Sequence, residues 1–91
     1  MGAVADSVRQ KLQQAFAPTR LEVEDDSARH AGHAGARSGG ESHFNVLIES
    51  AAFTQVGRVQ RQRMVHAALA EELAGPVHAL SVKALAPGEG A

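Results

Sequence analysis

The chain of 91 residues contains no cysteine, no tryptophan and no tyrosine, and only three phenylalanines. The absence of cysteine excludes a disulfide framework and any metal site for which this chain alone supplies thiolates. No apolar run approaches the roughly 18–20 residues of a membrane-spanning helix, and the first residues do not resemble a signal peptide. We therefore expect a cytoplasmic protein without membrane contact, whose core is mostly aliphatic.

The chain also lacks a large net charge: its formal net charge is only −1. This balance argues against wholesale electrostatic capture of nucleic acid. The distribution is uneven, however: residues 22–26 contain acids and no base, whereas residues 58–63 contain Arg58, Arg61 and Arg63 and no acid. Such opposite patches either orient a partner or are ordinary solvated surface.

Catalytic signatures are missing as well. The sequence contains no cysteine nucleophile, no Gly-x-Ser-x-Gly elbow, no Walker-type phosphate loop and no His-Glu-x-x-His metal motif. We expect that the protein is not an enzyme.

Apolar periodicity predicts the order of the elements. Helical spacing runs from Val4 to Phe16, and Pro18 ends that helix. Period-two alternation predicts a strand around residues 21–24 and another over residues 43–49. Between them, residues 27–42 contain four glycines, two histidines and no large apolar residue, which indicates a long, mobile loop of the kind that is functional or disordered.

A second helix is predicted from Val59 to Ala74, ended by Gly75-Pro76, and a last strand over residues 79–85. The first two strands should pair antiparallel, whereas a crossover through a helix makes the second and third parallel. The prediction is an α+β domain over residues 1–86, with helices on one face of a three-stranded mixed sheet in the order α-β-β-α-β. Residues 87–91 are predicted to be a disordered tail.

Three histidines are candidate metal ligands. His78 follows the helix stop and precedes the last strand, whereas His30 and His33 lie in the glycine-rich loop. Neutral imidazole binds iron, zinc and copper, but two or three imidazoles do not complete a closed tetrahedral site without a partner's donors. The alternatives are that His78 packs at a helix end and that the loop contains histidine by chance.

Arg61 and Arg63 are candidate phosphate contacts through charge-assisted hydrogen bonds. The alternative is that they belong to the solvated first turn of an amphipathic helix. The lack of aromatic stacking residues disfavours a single-strand binder.

Several segments together resemble the BolA family over residues 4–85. They are Asp26-Ser27-Ala28-Arg29-His30, Glu41-Ser42-His43-Phe44-Asn45-Val46, Gln60-Arg61-Gln62-Arg63-Met64-Val65-His66 and Leu69-Ala70-Glu71-Glu72-Leu73-Ala74-Gly75-Pro76-Val77-His78. The resemblance implies a fold similar to the type II KH arrangement, with the second helix either continuous or split in two (αββααβ). The Arg-His-Arg that is usual in that helix reads Arg61-Gln62-Arg63 here, which weakens any function assigned to the middle histidine.

The resemblance also implies a partner and a cofactor. Members of the family pair with monothiol glutaredoxins and share a [2Fe-2S] cluster, for which the glutaredoxin and glutathione supply thiolates. The metal-ligand roles then fall on His78 and on His30, with His33 as the alternative loop donor. The isolated chain should hold no cofactor and be a monomer or a weak homodimer.

Members are also described as stress-induced morphogens and transcriptional regulators that bind duplex DNA. Carried over, that function points to Arg58, Arg61, Arg63 and Lys83.

Overall fold

The fold consists of one three-stranded sheet and its covering helices, as seen in a computed structural model that describes residues 2–25 and 43–89. Its elements are α1 (Ala3–Phe16), β1 (Arg20–Asp25), β2 (His43–Glu49), a 3₁₀ helix (Ala51–Phe53), α2 (Arg58–Ala68), α3 (Ala70–Ala74) and β3 (Ala79–Leu85). No helix in these two stretches is long and apolar enough to cross a bilayer.

The sheet has the predicted pairing, in the spatial order β1-β2-β3. β1 lies antiparallel to β2, with Asp25 opposite Phe44, and β2 lies parallel to β3, with His43 opposite Ala79. Because β2 and β3 are joined through α2 and α3, their parallel pairing is the expected crossover arrangement.

Alternation along β2 builds the core. Phe44, Val46 and Ile48 are buried on one face of the sheet. Val46 and Ile48 share one apolar cluster with residues of both long helices, namely Val8 and Leu12 of α1 and Val65 and Leu69 at the end of α2. The amphipathic stripes of the two helices therefore cover the same face of the sheet, as predicted.

The predicted second helix is present in its split form. It is interrupted at Leu69, whose φ of −109° and ψ of 23° lie outside the helical range. The Leu69 side chain is nonetheless buried, 1% exposed. The break therefore turns the chain into α3 while keeping Leu69 in the core.

α1 and α3 are joined by a polar network around Glu72, a residue that is only 8% exposed. The Ser7 hydroxyl donates to its carboxylate at 2.7 Å, and the Lys11 ammonium lies 2.9 Å from the same group. Burial opposes the charge on Glu72, but the hydrogen bonds from Ser7 and Lys11 outweigh it and lower the pKa of this carboxyl. The Glu72 backbone carbonyl also accepts from the amide of Val77 at 2.9 Å.

Candidate functional site

His78 lies at the entrance to β3 with an exposed side chain, and the chain is held on both sides of it. Val77 before it is buried, 3% exposed, and its amide is bonded to the Glu72 carbonyl. Ala79 after it pairs with His43 of β2. The backbone at His78 is thus fixed while the imidazole faces solvent.

Asp25 and His43, the residues on either side of segment 26–42, lie at the same end of the sheet as His78. Asp25 closes β1 opposite Phe44, and His43 opens β2 opposite Ala79. His30 and His33 themselves, together with the predicted mobile loop 27–42, lie outside the described residues.

The described residues do not form a metal centre by themselves. Within residues 2–25 and 43–89, no group of three or more His, Cys, Asp or Glu side chains is arranged to hold a metal ion. His43 is half-buried at the start of β2, and His66 is exposed on α2. Any metal at His78 would therefore need donors from beyond these two stretches of chain.

A second concave surface lies between α2 and β3, and we call it the α2/β3 groove. It encloses about 810 Å³ and is lined by Val56–Val59, Arg61, Gln62, Val82–Leu85 and Glu89. Arg58 and Lys83, two of the predicted nucleic-acid contacts, line it and are exposed. Arg63 is exposed on α2 but is not part of the lining.

Arg61 differs from its prediction as a solvent-facing phosphate contact. The residue is only 8% exposed. Its Nε donates to the Val56 carbonyl at 2.7 Å and its Nη1 to the Ala84 carbonyl at 3.0 Å. Both terminal nitrogens also donate to the Glu89 carboxylate. Its guanidinium is therefore engaged inside the protein, and a phosphate could bind it only by displacing these partners.

A spacing signal for the burial of Arg61 is present in the sequence. Arg61 precedes Val65 by four residues and Leu69 by eight, so all three lie on one helical face. Arg58 and Arg63 lie close to Arg61 in the sequence and are exposed. Charge alone therefore suggests that all three arginines form one solvated cluster.

The tail also differs in part from its prediction as disordered, since residues 87–89 form a turn. The Glu89 carboxylate accepts from the Ala86 amide at 2.9 Å as well as from Arg61. These hydrogen bonds, led by that from Arg61, lower the pKa of Glu89 from 4.5 to about 2. Residues 90 and 91 lie outside the described part of the chain.

The depressed pKa of Glu89 predicts a stability contribution that depends on pH. A carboxyl whose folded pKa lies below its unfolded value stabilises the protein above the unfolded pKa, near pH 4.5 here, and this contribution is lost as the pH falls toward 2. Wild type should therefore melt at a higher temperature than Glu89→Gln at pH 7, and the difference should shrink by pH 3. An equal difference at both pH values, measured by circular dichroism, would contradict this linkage.

These features define a small α+β domain of topology αββααβ, with one exposed imidazole at a strand entrance and a cationic groove along the last strand. The sequence model described as BolA-like protein matches residues 12–89. The chain belongs to the BolA family.

Named relatives agree with this assignment. The chain is 45% identical over 89 residues to BolA-like protein 1 of Pongo abelii, covering 98% of this chain but only 62% of that protein. It is 42% identical over 79 residues to the DNA-binding transcriptional regulator BolA of Escherichia coli, covering 87% of this chain and 71% of that protein. The chain thus spans less than two thirds of the mammalian relative.

A solved structure shares the fold. The BolA domain of SufE1 from Arabidopsis thaliana superposes with a TM-score of 0.86 at 42% identity, covering 98% of both chains. The resemblance inferred from the sequence and the predicted α+β fold are therefore confirmed.

Proposed function

We propose that this chain is a non-enzymatic adaptor that pairs with a monothiol glutaredoxin and helps to ligate a [2Fe-2S] cluster, in iron–sulfur cluster trafficking or iron homeostasis. The observation that carries the proposal is the exposed imidazole of His78 on a backbone fixed by Val77 and Ala79. Membership of the BolA family supports the same function.

The donor chemistry fits a shared cluster better than a site of this chain alone. Iron–sulfur clusters are bound mainly by thiolates, and histidine replaces cysteine at some iron atoms. This chain contains five histidines and no cysteine. It would therefore supply imidazole, whereas the glutaredoxin and its glutathione would supply thiolates. When bound, the cluster would provide the transferable iron and sulfide, and this chain would fix one side of it.

The second donor of this chain is proposed to be His30, with His33 as the alternative. His30 follows Asp25 by five residues, and a chain spans at most about 3.3–3.6 Å per residue, or about 17 Å in all. Two strand spacings of about 4.7–4.9 Å separate β1 from β3, about 10 Å. Chain length therefore permits either loop histidine to approach His78.

The test is anaerobic co-purification of the full chain with a monothiol glutaredoxin and glutathione, followed by iron and sulfide analysis. We expect a heterocomplex with equal amounts of iron and sulfide and visible absorption that differs from that of the glutaredoxin alone. A glutaredoxin that elutes separately, with its own spectrum unchanged, would refute the partnership.

A second candidate function is duplex DNA binding, because the Escherichia coli relative is named a DNA-binding transcriptional regulator. Three of the four predicted contacts, Arg58, Arg63 and Lys83, are exposed. Since Arg61 is engaged with Glu89, Arg63 is the better test of this function.

For that function, Arg63→Ala should weaken duplex binding at every sequence and lower the salt slope by about one. Fluorescence anisotropy at several salt concentrations measures both quantities, and Arg20→Ala on β1 is the matched control. A slope that is equal in the two variants, or no binding near physiological salt, would remove this candidate.

A cytoplasmic location remains part of the proposal. Relatives of similar identity include a protein named chloroplastic, BOLA1 of Arabidopsis thaliana, so family membership does not fix the compartment.

A further inference from the structure

β3 forms one edge of the sheet, and alternate residues of it face outward. The Leu85 carbonyl accepts from the Ser50 amide, which follows β2, at 2.9 Å. Leu85 therefore turns its backbone groups toward β2. Because successive residues of a strand alternate, Val82 and Ala84 turn their amides and carbonyls the other way, toward the α2/β3 groove.

Two outward carbonyls of this edge accept hydrogen bonds from side chains of α2. Gln62 Nε2 donates to the Val82 carbonyl at 2.8 Å, and Arg61 Nη1 donates to the Ala84 carbonyl at 3.0 Å. Edge strands offer backbone groups to any extended chain, and proteins cover them to control such pairing. Here the cover consists of side chains rather than a strand.

The groove beside this edge is lined by both apolar and basic residues. Val59 lines it and is 65% exposed, the one large apolar side chain so exposed in residues 2–25 and 43–89. Arg58, Arg61 and Lys83 also line it, whereas Glu89 is its one acidic lining residue. The groove is thus complementary to an acidic segment with apolar side chains.

A carboxylate is already bound in this groove. Glu89 reaches into it from the turn after β3, and its two oxygens accept from the two terminal nitrogens of Arg61. One oxygen also accepts from the Ala86 amide, the next outward-facing group beyond β3. The Glu89 side chain is 44% exposed, so it lies at the surface of the groove. Its contacts show the chemistry that this end of the groove accepts, a carboxylate on a guanidinium and a backbone amide.

We propose that the α2/β3 groove is a docking site for an extended acidic peptide segment of a partner protein, which runs along β3 and whose carboxylate replaces Glu89 on Arg61. The peptide accepts from the outward amides of Val82 and Ala84, places an apolar side chain on Val59 and turns further acids toward Arg58 and Lys83. Strand addition of this kind takes affinity from main-chain hydrogen bonds and specificity from alternate side chains.

A peptide suits the groove better than nucleic acid for three reasons. The engaged cation, Arg61, is buried and already matched to a carboxylate, and the exposed Val59 offers an apolar contact rather than a phosphate donor. The outward amides of Val82 and Ala84 are also donors that an extended peptide can use in register.

This inference is independent of the proposed cluster adaptor. Val82, the proposed contact on β3 that lies nearest to His78, follows it by four residues, about 13 Å at about 3.3 Å per residue. Peptide docking and cluster binding can therefore succeed or fail separately.

The experiment is selection of phage-displayed random octapeptides on the full chain, followed by titration of the enriched synthetic peptide by fluorescence anisotropy and NMR. We expect an enriched sequence that alternates apolar residues with at least one Asp or Glu. Its shift changes should lie at residues 56–62 and 82–86. Replacing its acid by the amide should weaken binding several-fold.

Two variants of the chain sharpen the test. Glu89→Gln should bind the peptide about two- to fivefold more tightly, because a partly exposed ion pair no longer has to be broken. Lys83→Glu should weaken binding, and Glu22→Gln on β1 should leave it unchanged. A circular dichroism melt of each variant checks that it is folded.

Three results would overturn the proposal. They are an enriched sequence without acids, shift changes away from the groove, and equal affinity for wild type and Glu89→Gln. Duplex DNA that perturbs the groove where the acidic peptide does not would assign the surface to nucleic acid instead.

Discussion

His78→Ala should release the [2Fe-2S] cluster from the complex with the glutaredoxin while leaving the fold intact. The side chain is exposed, so its removal costs little packing. Loss of even an outer-shell partner typically lowers metal affinity by about 10–100-fold, and loss of a direct ligand should cost at least the upper end of that range. The visible circular dichroism of the complex and the rate of cluster loss to an iron chelator measure the effect.

His66→Ala is the matched control, because His66 is also exposed but lies on α2 rather than at the entrance to β3. It should leave the cluster spectrum unchanged. The corresponding variants His30→Ala and His33→Ala decide which loop histidine binds. A His78→Ala complex with the spectrum and stability of wild type would show that His78 is not a ligand.

Phe53→Ala should produce a large loss of stability. Phe53 is 0% exposed, belongs to the main apolar cluster and contacts the ring of Phe16, with centroids 5.1 Å apart. Truncation of a buried phenylalanine costs about 3–5 kcal/mol, a large part of the roughly 5–15 kcal/mol that stabilises a typical domain.

Urea denaturation followed by circular dichroism measures this loss, which should appear as a lower midpoint with an unchanged slope. Val59→Ala is the control, since Val59 is 65% exposed and surface substitutions usually stay within about 0.5 kcal/mol. Equal midpoints for the two variants would mean that Phe53 does not anchor the core.

Local sequence pattern was sufficient for most of the fold. The alternation in residues 43–49 and 79–85 predicted β2 and β3 with the bounds they have, because both strands bury one face against helices. The pairing directions followed from the connections alone. The break at Leu69 was not predicted by the residue pattern, which gave one helix from Val59 to Ala74, because Leu69 fits the buried stripe whether or not the helix is continuous there.

The sites were less accessible to sequence reasoning. The position of His78 followed from the Gly75-Pro76 stop just before it. The engagement of Arg61 did not, because its partner Glu89 lies 28 residues away in a Pro-Gly-Glu tail whose composition indicates disorder. Local periodicity cannot predict a contact between residues so far apart in the sequence. The hydrogen bond from Gln62 to the Val82 carbonyl depends on the same tertiary packing.

The bonds of Glu72 have a mechanical consequence for His78. The side chain of Glu72 is bonded to α1, and its carbonyl is bonded to the residue just before His78. Through Glu72, the N-terminal helix thus restrains the backbone just before His78, although more than sixty positions separate them along the chain. Local unfolding of α1 would remove this restraint, so hydrogen exchange of the amides at the start of β3 should accelerate together with exchange in α1.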